Sequence, residues 1–274
     1  MARQNLTSLG RRPARRELLI LRVVRRQRLS PTFVRVTLGG DELTRFTPMG
    51  ADQWARFFLP VDDGGALAKV PARLTPRSYL RFLTLAKTER PLMRSYTISG
   101  FHTAAETGGA AELDLDVVLH RLDDGDLAPA AAWAARCELG TPVGLIDEGI
   151  GFAPVAPPRR VLLAGDVTAL PAIAGILAGL PAEAVGRASI EVPTPADRRR
   201  LARPAGIEVD YILSAESAAP GATLTARVRA TPLQADGVFA WVAGEASLVN
   251  AVRRHWIAQG VPKGQIAFCG YWRA

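Results

Sequence analysis

The chain is poor in the residues that build metal and disulfide sites. Its 274 residues include only two cysteines, Cys137 and Cys269, and three histidines. Neither type recurs at ligand spacing, so zinc has no case and a disulfide framework is excluded. Two distant cysteines fit a reducing compartment and a place in the core. Aromatic residues make up only 7%, so a Trp or Tyr beside a turn stands out. No apolar run is long enough to cross a membrane. The most apolar region, residues 161–185, is broken by Asp166, Pro171 and Pro181. Leu18–Leu21 is too short for a signal-peptide core. A cytoplasmic protein without membrane insertion is expected, and nothing in the pattern asks for more than a monomer.

Charge is also missing from most of the chain. Residues 1–28 hold nine arginines against one acid, Glu17, which accounts for the whole net charge of +8. The remaining residues are balanced. A basic arm over residues 1–17 therefore reads as a disordered or surface-sticking tail. No nucleic-acid motif accompanies it, so nucleic acid is not expected as the main partner.

What is present is two rhythms. Hydrophobic content of 48% and charged content of 22% are ordinary for a globular protein, and the length suits two modest domains. Residues 18–156 carry short strands parted by turns, among them 19–26, 32–38, 52–60 and 142–146. The clearest is the alternating Leu113–His120. An Ala-rich helix is predicted over 126–138 with Asp126 as its cap, and helical turns around 79–87. About six strands and one helix fit a small antiparallel Greek-key barrel. After Pro157-Pro158 the rhythm becomes strand, helix, strand through residue 274, which argues for a parallel sheet covered on both faces.

The candidate site starts at Arg94-Ser95-Tyr96-Thr97-Ile98-Ser99. In a strand, Arg94, Tyr96 and Ile98 share one face and Ser95, Thr97 and Ser99 the other. An Arg fork suits a phosphate and a ring suits an aromatic ligand; a half-buried strand with a polar edge explains the same residues. Gly165-Asp166-Val167-Thr168-Ala169-Leu170-Pro171 is a strand-to-helix turn of the sort at which open α/β sheets bind ligands. Trp241-Val242-Ala243-Gly244-Glu245 is a second such strand end, where Glu245 either caps the helix or reaches a ribose. The chain closes on Gly270-Tyr271-Trp272-Arg273.

Taken in this order and spacing, these stretches resemble the siderophore-interacting proteins, flavin-dependent ferric-siderophore reductases of the ferredoxin-reductase-like group. The resemblance runs from about Val23 to Arg273. It implies an FAD-binding barrel, an α/β domain for NADPH (or NADH), and a ferric siderophore as substrate. It implies that Arg94 pairs with the FAD pyrophosphate, Tyr96 lies against the isoalloxazine and Thr97 approaches its reactive edge, with Ser95 and Ser99 on the same strand. His120 ends the next strand. The helix start Ala128-Pro129-Ala130-Ala131-Ala132-Trp133 stands where the family cradles phosphate on backbone N–H groups, and Trp133 reads as core packing. Gly165, Asp166, Thr168 and Pro171, with Gly244 and Glu245, mark the nicotinamide edge. Arg198, in the run Arg198–Arg200 after the second strand of this domain, stands where an Arg distinguishes NADP from NAD. Tyr271 and Trp272 stand where related reductases cover the flavin. The chain departs from the family pattern at Ser99 (often Arg), Ala128 (Gly), Ala131 (Ser) and Val167 (Glu). Two rivals share the fold: a siderophore-binding protein that has lost tight flavin binding, and a general flavin or quinone reductase.

Overall fold

The computed structural model describes residues 5, 10–60, 65–86, 90–122, 124–215 and 218–274. Two compact units emerge. The first comprises Arg12–Met49 and Gln53–Gly149. The second comprises Gly50–Asp52, Ile150–Ala274 and the described N-terminal residues through Arg11.

The first unit is one antiparallel sheet of seven strands: β1 (Leu18–Arg28), β2 (Phe33–Gly39), β3 (Trp54–Leu59), β4 (Leu92–Thr97), β5 (Gly100–His102), β6 (Glu112–Val118) and β7 (Pro142–Gly149). Their order is β4-β3-β7-β1-β2-β6-β5. β4 and β5 stand at opposite ends of that order, yet only Ile98 and Ser99 separate them in the chain. The sheet must therefore curl. At the step the Ile98 N–H bonds back to Gln53 O at 2.8 Å, and the next N–H, of Ser99, reaches Asp114 O at 2.8 Å. Alternation sorts the faces. Val34, Val36, Leu38, Leu113, Leu115 and Val117 enter the core, while Arg35 and Thr37 take the opposite face and meet their buried cross-strand partners Asp116 and Asp114, at 2.7 Å each.

The sheet has one strand more than the six predicted, because β5 is three residues long and too short to show a period. Three short helices accompany it: α1 (Pro76–Leu83), α2 (Ala104–Thr107) and α3 (Pro129–Arg136). α2 is set by a Thr103–Glu106 capping box. α3 begins three residues later than predicted. Pro129 fixes its first turn and disfavours helix before it, so Ala128 holds the N-cap position without a side-chain cap, and Asp126 caps nothing.

The second unit is a five-stranded parallel sheet in the order β10-β9-β8-β11-β12. It contains β8 (Arg160–Gly165), α4 (Leu170–Ala178), β9 (Val185–Val192), β10 (Gly206–Leu213), α5 (Ala222–Ala230), β11 (Val238–Glu245), α6 (Ala246–Ala258) and β12 (Ile266–Trp272). All eight residues of β11 are buried, as a central strand covered on both faces requires. The order reverses between β8 and β11, which places the topological switch at their carboxyl ends. Part of the arm predicted to be disordered is held here. Arg11 exchanges backbone hydrogen bonds with Ile150, and Asn5 bonds Phe268 and Ile266. Among the described residues no helix is long and apolar enough to cross a membrane.

Candidate functional site

In the first unit a cavity of about 890 Å³ is lined by Arg94 and its neighbours Leu92 and Met93, by Arg90, and by Pro129, Ala132, Trp133 and Arg136 of α3. The sequence placed Arg94 and the start of α3 in one ligand site, and the structure brings them to one cavity. Arg94 is exposed; its guanidinium meets only the neighbouring Met93 carbonyl, at 2.9 Å, and has no ion-pair partner among the described residues. Tyr96 shares its face and packs on the core, 6.1 Å from the Phe57 ring between centroids. Burial pushes the Tyr96 hydroxyl up to about 12, and the Arg94 charge offsets this in part. Thr97 is buried and Ser95 exposed at the same strand end. The first turn of α3 exposes no capping side chain to the Ala130 and Ala131 amides.

Of the residues that the sequence assigned to this site, Ser95, Tyr96, Thr97, Ser99, His120, Ala130 and Ala131 do not line the cavity. The Ser99 hydroxyl accepts the Asp116 N–H at 2.9 Å and so ties the step between β4 and β5 to β6. His120 is exposed and lies against its own strand, with Nδ1 3.3 Å from Val118 O; it does not line the cavity, although its carbonyl accepts the Ala128 N–H. The sequence missed Arg136 and Arg90. The signal for Arg136 was the helical spacing Pro129, Trp133, Arg136, which puts all three on one face.

This cavity suits an anion rich in acceptor oxygens. Among the described residues three arginines line it against one acid, Glu138. The buried Trp133 Nε1 has no hydrogen-bond acceptor, an expensive condition for a polar atom. An FAD diphosphate suits the three arginines; the Trp133 Nε1 is closed off from the cavity.

In the second unit the predicted residues converge on Asp166, at the carboxyl end of β8. Its buried carboxylate accepts four hydrogen bonds: Thr168 N at 2.9 Å, Thr168 Oγ1 at 2.5 Å, Glu245 N at 2.6 Å and Trp272 Nε1 at 2.9 Å. Burial still raises the carboxyl above its ordinary range, with these donors opposing. Gly244, at φ +131°, is required here because a Cβ would sit 2.5 Å from Asp166 Oδ2. Gly165 is equally constrained, its missing Cβ lying 2.8 Å from Ala243 O. Glu245 serves as the N-cap of α6 through Ser247 and Leu248 N–H groups, and Pro171 is buried in the first turn of α4. Trp272 is 38% exposed and Tyr271 37%. Arg198 is exposed beyond β9, after a short turn set by a Thr194–Asp197 capping box. Tyr211 accepts from Arg199 N and donates to Arg199 O, at 3.1 and 2.8 Å, which fixes the basic loop.

A curled antiparallel sheet followed by a parallel sheet with its switch point at β8/β11 defines a ferredoxin-reductase-like fold. The ferredoxin NADP+ reductase of Neisseria gonorrhoeae shares that fold at 12% identity and a TM-score of 0.60, over 94% of this chain and all of its own. Residues 22–150 match the siderophore-interacting FAD-binding domain and residues 158–274 the siderophore-interacting protein model. An uncharacterized protein of Mycobacterium tuberculosis is 34% identical over 95% of this chain and 92% of its own length. The ferric vibriobactin reductase ViuB of Vibrio cholerae is 28% identical over 86% and 81%. The siderophore-interacting protein SipS of Aeromonas hydrophila superposes with a TM-score of 0.70 at 28% identity, over 94% of this chain and 99% of that one. The chain belongs to the siderophore-interacting protein family.

Proposed function

We propose that the protein is an FAD-dependent oxidoreductase that uses NAD(P)H to reduce ferric siderophores in the cytoplasm. The observation that carries this reading is the convergence of Arg94 and the uncapped start of α3 on one cavity. Residues 18–156 supply the flavin site and residues 157–274 the nicotinamide site. A bound FAD would supply the link between two-electron hydride chemistry and single-electron reduction of Fe(III). The chain's own work is binding and placement. Arg94 and the Ala130 and Ala131 amides hold the diphosphate, and Tyr96 and Thr97 set the ring at the strand end. Asp166, Gly165 and Gly244 shape the edge that receives the nicotinamide, with Trp272 beside them. Arg198 favours NADPH over NADH by meeting the 2′-phosphate. Fe(II) is a poorer match for hard anionic oxygen ligands than Fe(III), so reduction releases the iron. ViuB carries the name of a ferric vibriobactin reductase, and a relative from Escherichia coli that of an NADPH-dependent ferric-chelate reductase.

The test is the visible spectrum of the purified protein, before and after FAD loading and desalting. A retained flavin band that bleaches with NADPH faster than with NADH, and recovers on adding a ferric siderophore, is the expected result. A colourless protein that cannot be reloaded overturns the reading. Bleaching that recovers with quinones but not with ferric siderophores replaces the substrate.

A further inference from the structure

One face of the parallel sheet carries more polar side chains than a covered face needs. Alternation and register put Arg160, Leu162 and Ala164 of β8 on the same face as Arg187 and Ser189 of β9 and Glu208 of β10. Leu162 and Ala164 pack in the apolar cluster of α5 and α6, so this is the face those helices cover. Strands covered on both sides ordinarily run apolar. Here Arg160, Arg187, Ser189 and Glu208 line a cavity of about 380 Å³, walled from the helix side by Val228, Leu233, His255 and Trp256. It opens away from the Asp166 cluster. Arg160 begins β8 and Gly165 ends it, about 16 Å apart at the rise of a strand.

Most charges of this cavity are answered. Arg187 meets Glu208 at 2.6 Å and lies 3.8 Å from Asp210. The half-buried His255 is held below its ordinary range by burial and then by the Arg229 charge, so at neutral pH it is uncharged. Arg160 is half-buried and has no ion-pair partner among the described residues, which leaves one unanswered charge on the described lining. Ser189 is 4% exposed, and its hydroxyl has no hydrogen-bond partner among the described residues, a costly state for a buried polar group. Ser189 pairs with Ala164, four residues beyond Arg160 on β8. The backbone positions of cation and hydroxyl therefore stand about 13 Å apart along the strands, with Leu162 between them. We propose that this cavity binds a small elongated carboxylate, its anionic end on Arg160, its apolar body over Leu162 and against Trp256, and a polar group at its far end on Ser189. The volume is that of a small-molecule site, and the proposal is independent of the FAD reading.

The experiment is calorimetric titration of the full chain at neutral pH with para-hydroxycinnamate, with cinnamate, which lacks the far hydroxyl, and with the neutral para-hydroxycinnamamide. The variants are Arg160→Gln, Arg160→Lys, Ser189→Ala and, as a control in the other cavity, Arg94→Gln, each first checked by thermal melting. Para-hydroxycinnamate is expected to bind at one site, about tenfold tighter than its amide, the size of one charged hydrogen bond. Arg160→Gln is expected to abolish that preference and Arg160→Lys to restore part of it. Ser189→Ala is expected to weaken para-hydroxycinnamate a few-fold and leave cinnamate unchanged, and Arg94→Gln to change neither. No binding of para-hydroxycinnamate at millimolar concentration overturns the proposal. So does equal affinity for acid and amide, or a preference that survives Arg160→Gln. Loss of binding in Arg94→Gln places the carboxylate in the other cavity and overturns it too.

Discussion

The candidate sites of the two units treat charge in opposite ways. At the carboxyl edge of the parallel sheet the acidic groups are answered from within the fold. Asp166 takes four donors, and Glu245 caps α6. In the antiparallel unit the cavity side chains are left open. Among the described residues Arg94 and Arg136 have no ion-pair partner, and Trp133 Nε1 has no acceptor. A site with open valences is built to hold a ligand that completes it, whereas a self-satisfied edge can receive and release one. The proposed function would put the flavin in the first and the nicotinamide in the second.

The comparison breaks or sharpens under substitution. The largest effect is expected from Gly244→Ala, which combines a φ of +131° with a Cβ 2.5 Å from Asp166 Oδ2. A loss of about 4 kcal/mol in denaturant unfolding is expected from strain plus overpacking. A loss below about 1 kcal/mol would show that the edge yields easily. Next comes Asp166→Asn. An amide can answer Thr168 but turns an NH2 toward the Glu245 and Trp272 N–H donors. About 2–3 kcal/mol of stability should be lost, with a shift in Trp272 emission and little change in FAD affinity.

Arg94→Gln should show the reverse pattern. Stability should hold within about 0.5 kcal/mol, while FAD affinity falls roughly 10- to 100-fold. If Arg94→Gln lowered the melting temperature as far as Asp166→Asn does, the contrast between the units would collapse.

The smallest effect concerns Asp147 in the antiparallel unit. Burial lifts its carboxyl to about 6, with Glu148 adding to the rise and the Gly149 N–H and Gln53 opposing it. Between about pH 4 and pH 6 the folded chain holds a proton that the unfolded chain has released. The contribution of this group therefore falls as pH rises through that window and is level above it. Asp147→Asn should gain roughly 1–2 kcal/mol on wild type between pH 4 and pH 7, read from melts at both ends. A parallel pH profile for the two proteins would place the ionisation elsewhere.

Much of this was legible from pattern. The alternation of Leu113–His120 gave β6, and the apolar run Val161–Ala164 before Gly165 gave β8 and its turn, because period and punctuation are local properties. β5 and α2 escaped because three or four residues carry no period. The late start of α3 escaped because Asp126 looked like a cap while Pro129 decided the boundary. Trp133 read as core packing, and its ring does pack on the core. Nothing in the sequence could show that its N–H would be buried without an acceptor.

The sequence by itself determined which segments alternate with period two, which run apolar throughout, and where glycine and proline end them. Those are short-range facts, and they suffice for an antiparallel sheet followed by a parallel one. Only the tertiary structure decided which polar groups are satisfied. Asp166 meets Trp272 across 106 residues, and Arg94 shares a cavity with Arg136 from a different element. Whether a charge is answered or left open depends on neighbours that the chain brings together only by folding, and that decision separates a scaffold residue from a ligand contact.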